Sequence, residues 1–379
     1  MPLLTPRAIL IDVIPPKTDP LVAARRLLEL ESLTHTFGGI VVVKLIQKRD
    51  LPNYRTYIGS GKIDELIALA TKEKAGLVIV NNLLKPRQMY ELGEKLRPHK
   101  IQVWDRVDLI LKIFQKHAKT VEAKLQIKLA AIDHMGPRIF GMGMEMMQQV
   151  GGVGVRGGQG ETNTELMKRH LVKEHGHIKK ELERVARTRK LHRDRRDRIG
   201  LKTASIVGYT NAGKSSLLNA LTKKGAYVAN ELFATLDTRV GKMWIPATTD
   251  EVTLPLQRPP TPVLLSDTIG FIQDLPPQLI QAFRSTLDET IDADLILHVI
   301  DVNDPYVTQK IDEVEEILTQ LNVDHTPSIY VFNKIDRVKR LPKATLSKRY
   351  KDKTPIFVSS TKALGLEELK IKIGKRLAL

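Results

Sequence analysis

The chain has 379 residues and no cysteine. Disulfides, thiolate zinc sites, iron–sulfur clusters and cysteine nucleophiles are therefore excluded. No run approaches the roughly 18 consecutive apolar residues of a membrane-spanning helix. The first residues, Met1 to Pro6, also lack a basic stretch followed by an apolar one, the pattern of an export signal. A cytoplasmic protein without a membrane span is expected. What is present is ordinary globular material, 42% hydrophobic and 27% charged, and long enough for two or three domains with real cores.

Charge is distributed unevenly. Lysine and arginine number 60 against 43 aspartates and glutamates, a net of +17. Residues 203–379 hold 22 basic and 21 acidic residues, so a net +16 falls in residues 1–202. Residues 168–202 alone carry 14 basic and 5 acidic residues. One-sided charge speaks to partners rather than to fold. The N-terminal half is suited to a polyanion and the C-terminal half is not. The plainer alternative is a solvated basic helix.

Residues 1–104 read as a small α/β domain. Ala8–Ile14, Ile40–Ile46, Leu77–Val80 and Ile101–Trp104 have the composition of strands. Helical patterns separate them, beginning at Asp19-Pro20 and spanning about 62–72 and 86–96, which predicts a parallel sheet. Residues 105–200 read as a long antiparallel helical hairpin. Its first helix follows Leu109, Ile113, Leu125 and Leu129 to about Met135, where Gly136-Pro137 is expected to stop it. The second runs from about Thr164 to Arg198, with Leu171, Ile178, Leu182 and Val185 at heptad spacing beside His175, Arg189 and His192. Between them a tip loop is expected at about 136–163, rich in methionine and then in glycine (GGVGVRGGQG, residues 151–160). Residues 201–379 form the third segment.

That last segment carries the chemistry. A strand over Ser205–Tyr209 leads into Gly208-Tyr209-Thr210-Asn211-Ala212-Gly213-Lys214-Ser215 and a helix beginning near Ser216. This is G-x-x-x-x-G-K-[ST] in a strand–loop–helix setting, where backbone N–H groups and a helix N-terminus cradle phosphates. Lys214 supplies charge at the β- and γ-phosphates and Ser215 a hydroxyl for Mg²⁺. Further on, Asp267-Thr268-Ile269-Gly270 ends an apolar strand, so that Asp267 can hold Mg²⁺ through water and the Gly270 N–H can sense the γ-phosphate. Another strand ends in Asn333-Lys334-Ile335-Asp336. An Asp336 carboxylate accepts from both N1–H and the exocyclic amine of guanine, a pair adenine does not offer. Asn333 is expected at the opposite edge of the base, the Lys334 stem over a ring face, and Ser359-Ser360-Thr361 over the guanine oxygen. These elements fall in order at the carboxyl ends of strands, where open α/β sheets bind ligands. Gly59-Ser60-Gly61-Lys62 is a mere fragment of such a loop and reads as a turn before a helix. His170, His175 and His177 show no metal spacing.

Together with Leu232-Phe233-Ala234-Thr235-Leu236-Asp237 and Asp267-Thr268-Ile269-Gly270-Phe271-Ile272, these motifs resemble the HflX-type ribosome-associated GTPases. The N-terminal half resembles the same family through Tyr57-Ile58-Gly59-Ser60-Gly61-Lys62, Val103-Trp104-Asp105-Arg106, Gln126-Ile127-Lys128-Leu129-Ala130 and Arg156-Gly157-Gly158-Gln159-Gly160-Glu161-Thr162. The resemblance implies a P-loop GTPase domain, a mostly parallel doubly wound sheet, preceded by a smaller α/β domain and the hairpin. It implies GTP/GDP and Mg²⁺ as ligands, with Phe233 and Ser216 in the nucleotide set and a switch-I threonine, Thr235 or else Thr238, on the metal. Asn211 resembles the asparagine of potassium-activated GTPases, which makes K⁺ a candidate cation. Lys214, Thr235 and Gly270 are the expected catalytic group.

The implied partner is the large ribosomal subunit, bound as a monomer through ribosomal RNA, in the splitting or rescue of stalled ribosomes. Candidate RNA contacts are Arg156, Lys168, Arg169, Lys179, Lys180, Arg187, Arg193 and Arg196. The residue after D-x-x-G is Phe271, whose ring orients no water by hydrogen bonding, so intrinsic hydrolysis is expected to be slow and partner-dependent. The alternatives are a GTPase of RNA or ribosome maturation, and an RNA remodelling factor that GTP merely gates.

Overall fold

A computed structural model describes residues 5–150, 163–222, 239–245, 260–268, 270–272, 279, 287, 290–323 and 325–378. The chain folds as two compact units, Met1–Lys116 with Lys124–Leu182 and His117–Ala123 with Glu183–Leu379.

In the first unit, β1 (Arg7–Ile14), β2 (Ile40–Lys48), β3 (Leu77–Val80) and β4 (Gln102–Asp105) form a sheet of order β2-β1-β3-β4, every pair parallel. β1 is buried from Ala8 onward, as a central strand covered on both faces must be. Its residues Ile9, Ile11 and Val13 pack with Ile63, Leu66 and Ala70 of α2 (Ser60–Lys72) and with Leu92 and Leu96 of α3 (Pro86–Leu96). Gly59 is the N-cap of α2, so the Gly-Ser-Gly-Lys fragment is the helix entry that its sequence suggested. α1 spans Pro20–Phe37, beginning at a first-turn proline.

The hairpin departs from expectation at two points. Its first arm is broken earlier, into α4 (Arg106–His117) and α5 (Val121–Val150), where the Thr120 hydroxyl accepts the Ala123 N–H at 3.2 Å as a cap. Conversely, Gly136-Pro137 does not stop α5. An interior proline forfeits a hydrogen bond and costs about 3 kcal/mol, but His134 and Arg138 on either side are bound to Asp105 and Asp108 and hold the helix through. Residues 136–150 of the expected tip loop are therefore helical, and residues 151–162, Arg156 among them, lie outside the described residues. The second arm, α6, spans Asn163–Arg198. Ile178 is its buried seam residue, Leu171, Leu182, Val185 and Arg189 are half-buried, and His175 contacts Asp133 of α5 at 3.2 Å.

In the second unit, β5 (Thr203–Val207), β6 (Arg239–Ile245), β7 (Thr261–Asp267), β8 (Leu295–Asp301), β9 (Ser328–Asn333) and β10 (Ile356–Phe357) form a sheet of order β10-β9-β8-β5-β7-β6. Only the edge pair β6–β7 is antiparallel. Strand alternation separates two cores. Leu295, Leu297 and Val299 pack under α7 (Lys214–Thr222) and α10 (Leu366–Arg376). Val207 and Ile296 face α8 (Val307–Gln320) with Phe271, Val314, Ile317 and Leu318. A short α9 spans Lys343–Arg349. Helices on both faces make the sheet doubly wound, and the order reverses beside β5, which is where such sheets bind ligands.

Candidate functional site

The loop after β5 holds the phosphate-binding sequence in an open conformation that only small residues permit. Gly208 has φ +147° and Gly213 φ +97°. A Cβ on Gly208 would lie 2.3 Å from the Val299 carbonyl oxygen, and one on Gly213 2.3 Å from Asn333 Nδ2. Asn211 is itself left-handed at φ 63°, and its side chain is exposed. Lys214 opens α7 and is buried, its ammonium donating to the Gly208 and Tyr209 carbonyls at 3.0 and 2.8 Å. Burial pushes this lysine down to about 8, with Asp267 pulling the other way and Lys334 adding to the depression. A phosphate beside it would restore the charged form, because an opposite charge offsets desolvation.

The D-x-x-G segment is fastened to this loop through its backbone. Thr210 N–H donates to the Phe271 carbonyl at 2.7 Å and Phe271 N–H to the Gly208 carbonyl at 3.2 Å. Thr268 Oγ1 donates to the Ile206 carbonyl at 2.8 Å, which anchors the turn after β7. Ser215 Oγ donates to Asp267 Oδ2 at 2.6 Å. The hydroxyl and carboxylate named as Mg²⁺ ligands are thus adjacent, an oxygen pair of the kind Mg²⁺ takes with phosphate and water. Gly270 must lack a side chain here, since a Cβ would sit 2.7 Å from Thr210 Cγ2 and 2.8 Å from Lys214 Nζ. Phe233 and Thr235, with the alternative Thr238, lie outside the described residues.

The base-reading elements also converge, and Asn333 has partners in the protein itself. Its Nδ2 donates to the Ala212 carbonyl at 3.0 Å, and its Oδ1 accepts from Ser360 N–H at 3.1 Å and Ser360 Oγ at 2.9 Å. It is a buried brace between the phosphate loop and the 359–361 turn. A sequence motif shows the residue type but not which bonds a neighbouring loop will claim. Lys334, left-handed at φ 66°, reaches the Asn211 carbonyl at 2.5 Å and Asp301 Oδ2 at 2.7 Å. Asp336 is exposed, and a hydrogen bond from Ser359 Oγ at 2.6 Å holds its carboxyl below the usual range. Ser359 is buried, and Thr361 Oγ1 lies 3.2 Å from its hydroxyl. Asp301, which positions Lys334, was missed in the sequence. Its signal was the one the other motifs share, a polar residue closing an apolar strand.

Two polar clusters in the first unit were also not foreseen. At the carboxyl ends of β1 and β3, fully buried Asp12 accepts from Arg26 Nε at 2.7 Å and Asn81 Nδ2 at 3.0 Å. The Tyr57 hydroxyl lies 3.3 Å from Asp12 Oδ1 and accepts the Val13 N–H at 3.2 Å. At the start of α4, Asp105 and Asp108 cap each other's N–H groups, His134 Nε2 lies 3.3 Å from each carboxylate, and Arg138 pairs with both. The ligand atoms of Asp105, Asp108 and His134 approach within 4.8 Å, but the Arg138 guanidinium already pairs with both carboxylates.

A phosphate-loop sequence at the switch point of a doubly wound sheet, joined to a D-x-x-G turn and an N-K-x-D carboxylate, defines a P-loop GTPase. Three family models match in succession: GTP-binding GTPase N-terminal over residues 24–115, GTP-binding GTPase Middle Region over 117–196, and 50S ribosome-binding GTPase over 203–334. GTPase HflX of Caldanaerobacter subterraneus subsp. tengcongensis is 39% identical over 371 residues, covering 98% of this chain and 80% of the relative. That of Alkalihalophilus pseudofirmus is 39% identical over 349 residues, 92% of this chain and 78% of the relative. The crystal structure of SsGBP in complex with GDP shares the fold at a TM-score of 0.54 and 24% identity, over 99% of each chain. The chain belongs to the HflX family of GTPases.

Proposed function

We propose that this GTPase binds the large ribosomal subunit through ribosomal RNA contacts of its basic N-terminal half, and couples GTP hydrolysis to the splitting or rescue of stalled ribosomes. The supporting observation is where the charge lies on α6. Arg169, Lys180 and Arg187 recur at spacings of eleven and seven residues and are exposed on one stripe, opposite the seam residue Ile178. Lys168 and Lys179 are exposed beside that stripe, and Arg196 is half-buried. A helix that presents cations on one side and packs on the other is built to lie along a phosphate backbone, and such binding falls steeply with salt. The ribosome-binding description of the matched GTPase model agrees with this partner.

Hydrolysis at this site is positioning and charge neutralisation. Lys214 would meet the β- and γ-phosphates, and Gly270 would offer its N–H without a Cβ in the way. Ser215 and Asp267 would hold Mg²⁺, which when bound neutralises phosphate charge. Asn211, exposed at the turn of the loop, is the candidate for holding K⁺. Thr235 remains the proposed switch-I group. The water-orienting function is left to the partner, because the Phe271 ring is buried in the α8-side core. The protein acts in the cytoplasm, as a monomer.

The test is GTP turnover by the purified protein with and without large ribosomal subunits, at low and high salt. Strong stimulation that disappears at high salt is expected. Turnover that is fast alone and indifferent to subunits, with RNA binding intact, would favour an RNA maturation factor.

A further inference from the structure

The break between α4 and α5 leaves a groove between the two helices with a volume of about 490 Å³. Its floor is apolar, formed by Leu111, Ile127, Ala131 and Met135, and its rim carries Lys112, Lys124 and Lys128. Leu111 and Ile127 are buried, whereas Met135 is 46% exposed and all three lysines are exposed. Asp108 and Gln115 of α4 and His134 of α5 add polar groups to the lining. An apolar floor, hydrogen-bonding groups and a cationic rim suit a planar heterocycle carried on a phosphate chain.

Size separates the two polyanions that could meet this rim. An amphipathic acidic helix docks through anchors spread over two turns or more, which needs a long groove. A volume of this order falls in the range of about 300–1,000 Å³ typical of single small ligands. Continuity points the same way. Lys128 is bound at 2.5 Å to Glu174 of α6, so the rim adjoins the helix that carries the basic stripe.

We propose that this groove seats one unstacked base of the RNA that α6 holds, with Lys112 and Lys124 on the flanking phosphates. The proposal rests on the RNA-binding reading above and adds a base-contacting site to it. Met135 and Ile127 lie against the face of the base, and Gln115 and His134 meet its edges.

The test compares binding of the full-length protein to a single-stranded RNA 12-mer of mixed sequence and to the same 12-mer with central abasic nucleotides. Base contacts survive in only one of the two, whereas phosphate contacts survive in both. The native protein should prefer the base-bearing RNA by about five- to tenfold. Ala131→Trp, which fills the groove, should abolish that preference without changing the salt dependence. Lys112→Gln, at an exposed position that folding does not need, should keep the preference and reduce the slope of log K against log salt by about one. Equal affinity of the native protein for the two RNAs overturns the proposal, as does a preference that survives Ala131→Trp. A photo-crosslinker at Gln115 that captures protein rather than RNA on large ribosomal subunits also overturns it. Reversing charge at Lys180 and Arg187 separates the two levels. If that change weakens neither RNA, the RNA-binding reading itself fails; if it weakens both and no base preference exists, the groove assignment alone fails.

Discussion

Replacing Arg138 with alanine tests what holds α5 intact through its proline. Arg138 pairs with Asp105, which is fully buried, and with Asp108 at 2.9 Å, while its own side chain is 13% exposed. Removing one partner of a buried ion pair costs about 3–5 kcal/mol, because the remaining charge stays buried. Part of that loss is offset here. Asp105 still accepts the Leu84 and Asp108 N–H groups, and Asp108 the Asp105 N–H. An expected loss of about 2–3 kcal/mol remains, a sizeable part of the roughly 5–15 kcal/mol that stabilises a domain.

The pH dependence sharpens the test. Burial works against a charged His134, but its contacts to Asp105 and Asp108 outweigh that and raise its pKa; the nearby Arg138 charge lowers it. A raised histidine contributes stability that is full below its unfolded pKa and lost as pH rises through the folded one. Without Arg138 the histidine pKa rises further, and its protonated form compensates the carboxylates. The penalty should therefore be smaller at pH 6 than at pH 8. Asp108 is displaced at first by burial upward, but contact with His134 and the charge of Arg138 bring it down to about 2, so its share is lost only in strong acid. The assay is urea unfolding followed by fluorescence of Trp104, which packs edge-on to Phe37 at 5.2 Å, in a Trp244→Phe background. With a urea dependence of about 1–3 kcal/mol per molar, the midpoint should fall by about 1 M. A loss below about 0.5 kcal/mol, or one equal at both pH values, would refute the assignment of Arg138 and His134 as joint counter-charges.

Other consequences follow from the nucleotide site. Gly270→Ala keeps the N–H but pushes its Cβ against Thr210 and Lys214; it should still bind GDP, yet lose GTP turnover by about two orders of magnitude as that N–H and the lysine are displaced from the phosphate, and near-native turnover would mean that the Thr210 and Lys214 contacts relax freely. Asp336→Asn should weaken GTP binding by roughly 10- to 100-fold through loss of the charge-assisted pair, measured by competition with a fluorescent GDP analogue, and unchanged affinity would remove Asp336 from base recognition. Turnover in KCl should exceed that in NaCl at equal ionic strength, and Asn211→Ala should erase the difference; equal rates in the native protein end the K⁺ assignment.

The nucleotide site was legible in the sequence because each of its parts is local. A glycine-rich turn, a D-x-x-G and an N-K-x-D each place their groups within one loop, and an apolar strand before each fixes its position in the sheet. The alternation of β/α elements made the parallel sheet of the first unit readable for the same reason, and the family resemblance the mostly parallel second sheet. What escaped was long-range. Pro137 reads as a helix stop because its local cost is real, and the contacts of residues 134 and 138 with residues 105 and 108 that stand against it are long-range. Asn333 reads as a base contact, and only the fold shows that it also ties Ala212 to Ser360. Tyr57, at a positive φ of 67° in the turn it closes with Asn53, sends its hydroxyl to a partner far away in sequence, Asp12. Pattern reveals what a residue can do, and packing decides which partner it does it with.

Phe271 shows how far that distinction reaches into mechanism. From sequence, a phenylalanine after D-x-x-G means that no hydrogen bond orients the attacking water, and glutamine would be the obvious repair. The structure gives a different reason for the same residue. Phe271 is 1% exposed and packs with Val207, Tyr209, Ile296 and Val314, while its backbone carries the two bonds to Gly208 and Thr210. The side chain is directed into the core by the same backbone pairing that brings Gly270 to the phosphate loop. Phe271→Gln should therefore leave intrinsic hydrolysis no faster, and should cost about 2–4 kcal/mol through lost packing and a buried amide without partners. Thermal unfolding of the second unit and single-turnover GTP hydrolysis measure the two effects separately. Faster intrinsic hydrolysis in a stable variant would show that the ring turns out of the core in the GTP state, and that the polarity of this position limits the rate after all.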